Sequence, residues 1–367
     1  MRIGGRTYNI KLGLTVFLSI SVVSAVVILY RGFDERTWST LRQMRPQFAL
    51  LAAALMVGQW LLNALRFQIL VNSFEERVSF RTSFKAFMAN VFLAAMTPSQ
   101  TGGGPLQIYI LNRAGLPVAR AFAGCLMGAV LTVICLILSN LIVLGLSADL
   151  RLGMGHHLGT VFTVALAVFV ALAALFVLSL TKIAWLKRAA GWLVVGFSRS
   201  RRARPKYSVT KRLMRGLDQY RESMLAFAGA KRGRVVAAGL VTMLAMCTNA
   251  LIAPVLVAGL NAGGNALKVF LMQFVILFIA YFSPTPGASG VAEFTSYWLM
   301  ASVKVQGNML GVYTIMWRFF TSFLGVGVGA IVVISMLGKW KGRGEPVGQG
   351  GPPEGIAEDA VGGAVSR

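Results

Sequence analysis

Glu293 lies between Val291-Ala292 and Phe294, and Arg318 lies between Trp317 and Phe319, so both charges fall inside apolar sequence. An ionisable group at membrane depth costs at least ~2.5–3.5 kcal/mol, which makes each a functional candidate. The two read as partners, with Glu293 facing a cavity; the competing readings are a structural ion pair and a side chain reaching to the interface. Arg66 follows Asn63 by three residues near the end of another apolar run, where an interfacial anchor is an equal reading. Arg113 closes a short apolar stretch, where a basic residue also suits a helix C-terminus.

Two breaks in apolar sequence supply the remaining chemistry: Thr97-Pro-Ser-Gln-Thr-Gly-Gly-Gly-Pro105 and Ser283-Pro-Thr-Pro-Gly-Ala-Ser-Gly290. Lipid tolerates interrupted backbone only where the freed N–H and C=O groups face protein or water. Paired Pro/Gly-interrupted segments are the best sequence pointer to a transporter's binding site. Pro105 can open a helix because its missing N–H is not needed there. The glycines before it bare backbone amides at the positive end of that helix. Two such ends meeting in the membrane make a pocket for an anionic group. Pro98, Ser99, Gln100, Gly102 and Gly103 would line the first break; Pro284, Pro286, Gly287 and Gly290 would line the second. Structural kinks satisfied by neighbouring helices are the alternative. No Walker motif, nucleophile elbow or zinc-ligand spacing occurs, so the expectation is transport without cofactor, metal or catalytic set.

The elements that position these residues are membrane helices. Hydrophobic residues are 56% of the chain and charged ones 13%, against the ~25% charged of a soluble domain. Uncharged runs at Leu12–Tyr30, Phe48–Leu65, Ala121–Ala148, Leu158–Thr181, from Val235, and at Phe319–Gly338 approach or exceed the ~20 residues of a span. The net charge of +24 sits in the loops: Lys182–Arg234 holds 15 Lys/Arg against Asp218 and Glu222. That distribution argues against nucleic acid and places the loop in the cytoplasm, where it would meet anionic lipid. Within it, Leu213, Leu217, Tyr220, Met224 and Phe227 have the spacing of an amphipathic surface helix. Cys125, Cys135 and Cys247 lie in apolar runs and read as reduced thiols.

Charge parity gives an all-α polytopic architecture of six spans plus two re-entrant broken-helix hairpins, about Ala86–Asn112 and Val269–Val303, with both termini cytoplasmic. The Arg31–Gln47 loop dissents, carrying four Arg on the outer side. A full crossing by either hairpin would change the count and move the ends. Asn63-Ala-Leu65 and Asn249-Ala-Leu251 each begin 35 residues before the break proline, Pro98 or Pro284. With the opposed hairpins, that spacing predicts an inverted repeat with halves about 48–146 and 235–337. Residues 1–340 form one integral domain on this reading; 341–367, rich in Gly, Pro and Glu, form a disordered tail.

Pro98-Ser-Gln-Thr-Gly-Gly-Gly-Pro105, Arg113-Ala-Gly115, Pro284-Thr-Pro-Gly-Ala-Ser-Gly-Val-Ala-Glu293 and Arg318 together resemble the lysylphosphatidylglycerol synthase transmembrane-region family. The likeness runs from about Phe48 to Leu337 and implies a lipid-translocating domain of a bacterial inner membrane. Two departures stand out: Gly104 where family members often carry an acid, and Pro-Gly-Ala where they carry Pro-Gly-Gly. The aminoacyl-transferase domain of true synthases does not follow, so their synthase activity is not carried over. The expected function is a flippase for a polar-headgroup lipid, anionic or phosphate-bearing, bound in a central cavity; a homodimer is compatible with it. An enzyme or accessory acting on lipid-linked headgroups, with Glu293 as base, is the alternative. A scaffold recruiting partners through the basic loop is the third.

Overall fold

A computed structural model describes residues 2–3, 6–7, 15, 19, 45–73, 77–97, 102–146 and 232–341. Outside the described residues lie the run Leu12–Tyr30 apart from Thr15 and Ser19, the run Leu158–Thr181, the amphipathic segment and the tail beyond Lys341. The basic loop up to Lys231, and Pro98, Ser99, Gln100 and Thr101, also lie outside them. Apart from a two-residue antiparallel pair, Arg2–Ile3 with Arg6–Thr7, the described elements are helices.

Helix α1 (Pro46–Val71) begins with Pro at a position that suits it, and its C-cap Asn72 stitches the following turn. There the Val78 amide donates to Asn72 Oδ1 at 2.7 Å. Helix α2 (Phe80–Ala95) is capped by Ser79, whose Oγ accepts from the Thr82 amide at 3.3 Å. After the first break come α3 (Gly103–Arg113) and the long α4 (Val118–Leu146). The second described stretch opens with α5 (Arg232–Gly259), followed by α6 (Ala266–Tyr281), which Asn265 caps through the Lys268 amide. A 3-10 turn (Pro286–Ala288) occupies the second break, and α7 (Val291–Ser302) follows. Helix α8 (Gly307–Arg318) continues through a π turn (Phe319–Phe323) into α9 (Leu324–Lys341).

Among the described residues four stretches are long and apolar enough to cross a membrane: 46–71, 118–143, 233–259 and 307–336. By contrast α2 and α6 have 16 residues each, about 24 Å of helix. Helices α3 and α7, with 11 and 12 residues, reach about 17 and 18 Å. Each falls short of a ~30 Å hydrocarbon core. The sequence of lengths therefore repeats: long, 16, break, short, long. Pro46 and Arg232 are 186 positions apart, as are Phe80 and Ala266, and as are Asn63 and Asn249.

The most extensive interface joins α1 to α5. Arg234, near the start of α5, donates to the Asn72 carbonyl at the end of α1, so the two helices run antiparallel. Helix α9 packs on α2 through small residues. A Cβ at Gly329 would stand 2.6 Å from the Met88 carbonyl oxygen, and one at Gly325 would stand 3.3 Å from Val91. Asn140 on α4 donates to the Phe274 carbonyl on α6 at 3.1 Å, and Gln273 on α6 donates to Tyr313 on α8 at 3.2 Å. Outward faces are apolar: Val57, Leu61 and Leu65 on α1, Leu240, Leu244 and Leu251 on α5, and Ile331 and Ile334 on α9 are exposed. Apolar outside with polar side chains inside is the arrangement that lipid imposes.

Candidate functional site: a polar cavity and a clasped break

Two separate polar centres emerge. The first is a cavity of about 460 Å³ between α1, α2, α3, α4, α5 and α6. Gln59, Asn63, Arg66 and Phe67 reach it from α1 at spacings of four, three and one, which is a single helical face. Thr242, Met246 and Asn249 reach it from α5 at spacings of four and three. Asn90 comes from α2, Gln107 from α3, Thr132 from α4 and Tyr281 from α6.

Among the described residues Arg66 is the only charged side chain on the wall. Its Nη1 donates to Thr132 Oγ1 at 2.6 Å, while its buried Nε has no protein partner. Gln59 Oε1 and Asn249 Oδ1 are likewise buried without one. Three of the nine such atoms among the described residues thus belong to side chains that line this space. The cavity also reaches the first break and the end of α6. Ala94 and Gly104 flank the first on its wall, and Tyr281 is the last residue of α6 before the second.

Glycines of the first break serve packing as well as exposure. At Gly103 a Cβ would lie 1.8 Å from Asn90 Oδ1 and 2.7 Å from the Asn90 carbonyl oxygen, so only glycine lets α3 approach α2. The Gly102 amide donates to Thr97 Oγ1 at 2.8 Å across the break. Gly104, by contrast, has open space where a Cβ would go and forms part of the cavity wall. Pro98, Ser99 and Gln100 lie outside the described residues. Arg113 stands at the exposed end of α3, its Nε 3.3 Å from Tyr109 Oη, away from the cavity wall.

The second centre is the clasp at the second break. Glu293 and Arg318 are 3% and 4% exposed, and Arg318 Nε meets Glu293 Oε1 at 2.9 Å. The other carboxylate oxygen, Oε2, accepts from the Gly290 amide at 2.8 Å, which caps α7. Arg318 also donates from Nη2 to the Gly287 carbonyl at 3.1 Å and from Nη1 to Ser322 Oγ at 2.7 Å, across the π turn. Gly287 and Gly290 have φ of 57° and 83°, backbone that favours glycine. Ala288 holds φ of 56° between them. Pro284 is exposed and Pro286 half-buried, and the turn they frame packs on α2. Glu293, expected to face a cavity, is instead enclosed by its cap and its ion pair. Pro284, Pro286, Gly287, Gly290, Glu293 and Arg318 form one assembly, and Arg66 belongs to the other.

Sequence reasoning singled out Arg66 but took Asn63 and Asn249 only as repeat markers, and it passed over Gln59, Asn90, Gln107, Thr132, Thr242 and Tyr281. Polar residues four and three apart in otherwise apolar runs carried the signal on α1 and α5.

The family model for the lysylphosphatidylglycerol synthase TM region matches residues 12–329. The chain belongs to this family. A UPF0104 membrane protein of Archaeoglobus fulgidus is 29% identical over 337 residues, covering 89% of this chain and 97% of its own. A UPF0104 membrane protein of Methanothermobacter thermautotrophicus is 26% identical over 214 residues, covering 58% of this chain and 56% of its own. No solved structure matches the chain. This lysylphosphatidylglycerol synthase TM-region protein is thus a multi-pass membrane protein, and the relatives found for it are archaeal.

Proposed function

We propose that the protein moves a lipid with a polar, anionic or phosphate-bearing headgroup between membrane leaflets, and that the headgroup occupies the Arg66 cavity. The observation that carries this reading is the cavity itself. Its wall sets five carboxamides and Arg66, the one cation on it among the described residues, among apolar side chains, between helices whose outer faces are apolar, and Gly104 of the first break stands on it. Acyl chains would remain in the bilayer while the headgroup crosses between helices. Transport rather than catalysis fits the site, because the acid at the second break is committed to a cap and an ion pair.

The repeating element lengths and the antiparallel α1–α5 interface support an inverted repeat with two re-entrant hairpins, α2–α3 and α6–α7. On α1 the cavity lies in the half leading to the Asn72 end, and on α5 it lies at the middle of the helix. Charge parity puts that end in the cytoplasm, together with both termini, in a plasma membrane. Alternating access would come from the hairpins exchanging partners across α1 and α5.

Proteoliposomes carrying acyl-labelled lipid and a membrane-impermeant quencher test the reading. Movement makes both leaflets accessible to the quencher. Accessibility confined to the outer leaflet with every headgroup tried would refute it.

A further inference from the structure

We infer, resting on the translocation reading above, that the cavity selects headgroups whose one charge is a phosphodiester and whose remainder is uncharged and rich in hydroxyls. Headgroups carrying an ammonium are disfavoured. Three features of the wall carry the inference.

The first is charge. Arg66 faces the cavity, and no carboxylate of the described residues does. Glu293, the one carboxylate among the described residues, has one oxygen on Arg318 and the other on the Gly290 amide. An ammonium entering this space would meet Arg66 with nothing to neutralise it, and unpaired like charges are how a site rejects a ligand. A phosphodiester instead pairs with the guanidinium, whose fork suits phosphate oxygens.

The second is the helix end at the first break. Gly104, in the opening turn of α3, stands on the wall. The positive end of that helix adds to the field of Arg66. Both therefore favour an anion.

The third is the carboxamide set. Gln59, Asn63, Asn90, Gln107 and Asn249 all reach the cavity. Asn249 is 8% exposed, and its Oδ1 and the Oε1 of Gln59 lack protein donors. A carboxamide offers both donor and acceptor, as a hydroxyl does, so a glycerol or sugar group satisfies such a set in either direction. Phosphate oxygens accept only and cannot serve carboxamide carbonyls, so this set calls for O–H groups beyond the phosphate. At about 460 Å³ the space is of the size that small-molecule sites have.

Native mass spectrometry of the full chain in detergent tests this. The probes are phosphatidylglycerol, phosphatidylmethanol (the same charge without hydroxyls), phosphatidylethanolamine and lysylphosphatidylglycerol, all with the same acyl chains. Phosphatidylglycerol should be retained about tenfold better than the two ammonium lipids, and measurably better than phosphatidylmethanol. Arg66→Gln should abolish its advantage over the ammonium lipids. Asn249→Leu, which removes an orphaned carbonyl rather than a bonded one, should abolish its advantage over phosphatidylmethanol. Equal or better retention of either ammonium lipid overturns the inference, as does equal retention of phosphatidylmethanol. Retention of phosphatidylglycerol indifferent to both variants, as binding at the basic loop would give, overturns it too. Retention is read without transport, so absence of translocation would defeat the functional reading while leaving this selectivity to be decided.

Discussion

Arg318 Nε lies 2.9 Å from Glu293 Oε1, and this one contact joins α8 to the start of α7 across the second break. Around it the guanidinium also holds the Gly287 carbonyl and Ser322, while the carboxylate holds the Gly290 amide. Two charges buried in a membrane domain are thereby spent on backbone, in a region where unpaired backbone is costly.

Glu293→Gln and Arg318→Gln should each destabilise by about 3–5 kcal/mol, because each leaves the partner's charge buried and unpaired. The double variant should lose clearly less than the sum of the singles. Thermal unfolding of the four proteins in detergent measures the cycle, and additive losses would remove the clasp from the account.

Packing at the breaks predicts a graded glycine series. Gly103→Ala and Gly329→Ala set a Cβ against the Asn90 and Met88 carbonyl oxygens, and should cost about 1–3 kcal/mol. Gly104→Ala meets open space, so its folding stability should be nearly unchanged. Any effect it has should appear in lipid movement, because that Cβ would enter the cavity wall. Melting temperatures beside transport rates separate the two.

Ala288 tests the strain in the second break. Its positive φ of 56° costs about 1–2 kcal/mol for a non-glycine residue. Ala288→Gly relieves that while giving up a buried methyl worth about 0.8 kcal/mol. The substitution should therefore be neutral or slightly stabilising, and a pronounced loss of thermal stability would contradict the strained geometry.

Native cysteines report the cavity. Cys125 lines it, whereas Cys135 is buried and off its wall, with Sγ 3.7 Å from the Gly239 carbonyl. In a protein whose other two cysteines are serine, Cys125 should react with a small charged thiol reagent faster than Cys135 does in the matching background. Phosphatidylglycerol should slow that reaction. Equal rates would mean that water does not reach the cavity.

Much of the scaffold was legible because helix length and charge are local properties. The expected spans at Phe48, Ala121 and Val235 appear as α1, α4 and α5, and the Pro/Gly runs fall between paired short helices. The Glu293–Arg318 pair was legible too, since a lone acid in apolar sequence needs a cation. Its role was not. Whether a carboxylate faces a cavity or caps a helix depends on Gly290 and Gly287 backbone geometry, which residue types do not reveal. The cavity was harder still. Gln59, Asn90, Gln107 and Tyr281 come from four helices, and it takes the α1–α2, α2–α3, α1–α5 and α5–α6 interfaces to bring them together. Arg66 alone could be an anchor; beside Thr132 and the orphaned carbonyls it is part of a wall.

The most direct measurement of the central claim compares wild type with Arg66→Gln in proteoliposomes bearing acyl-labelled phosphatidylglycerol and an impermeant quencher. Wild type should expose the label of both leaflets. Arg66→Gln, at matched incorporation and melting temperature, should slow the inner-leaflet phase about tenfold or more. Equal rates for the two proteins, or an inner leaflet that stays protected with wild type, would contradict the account.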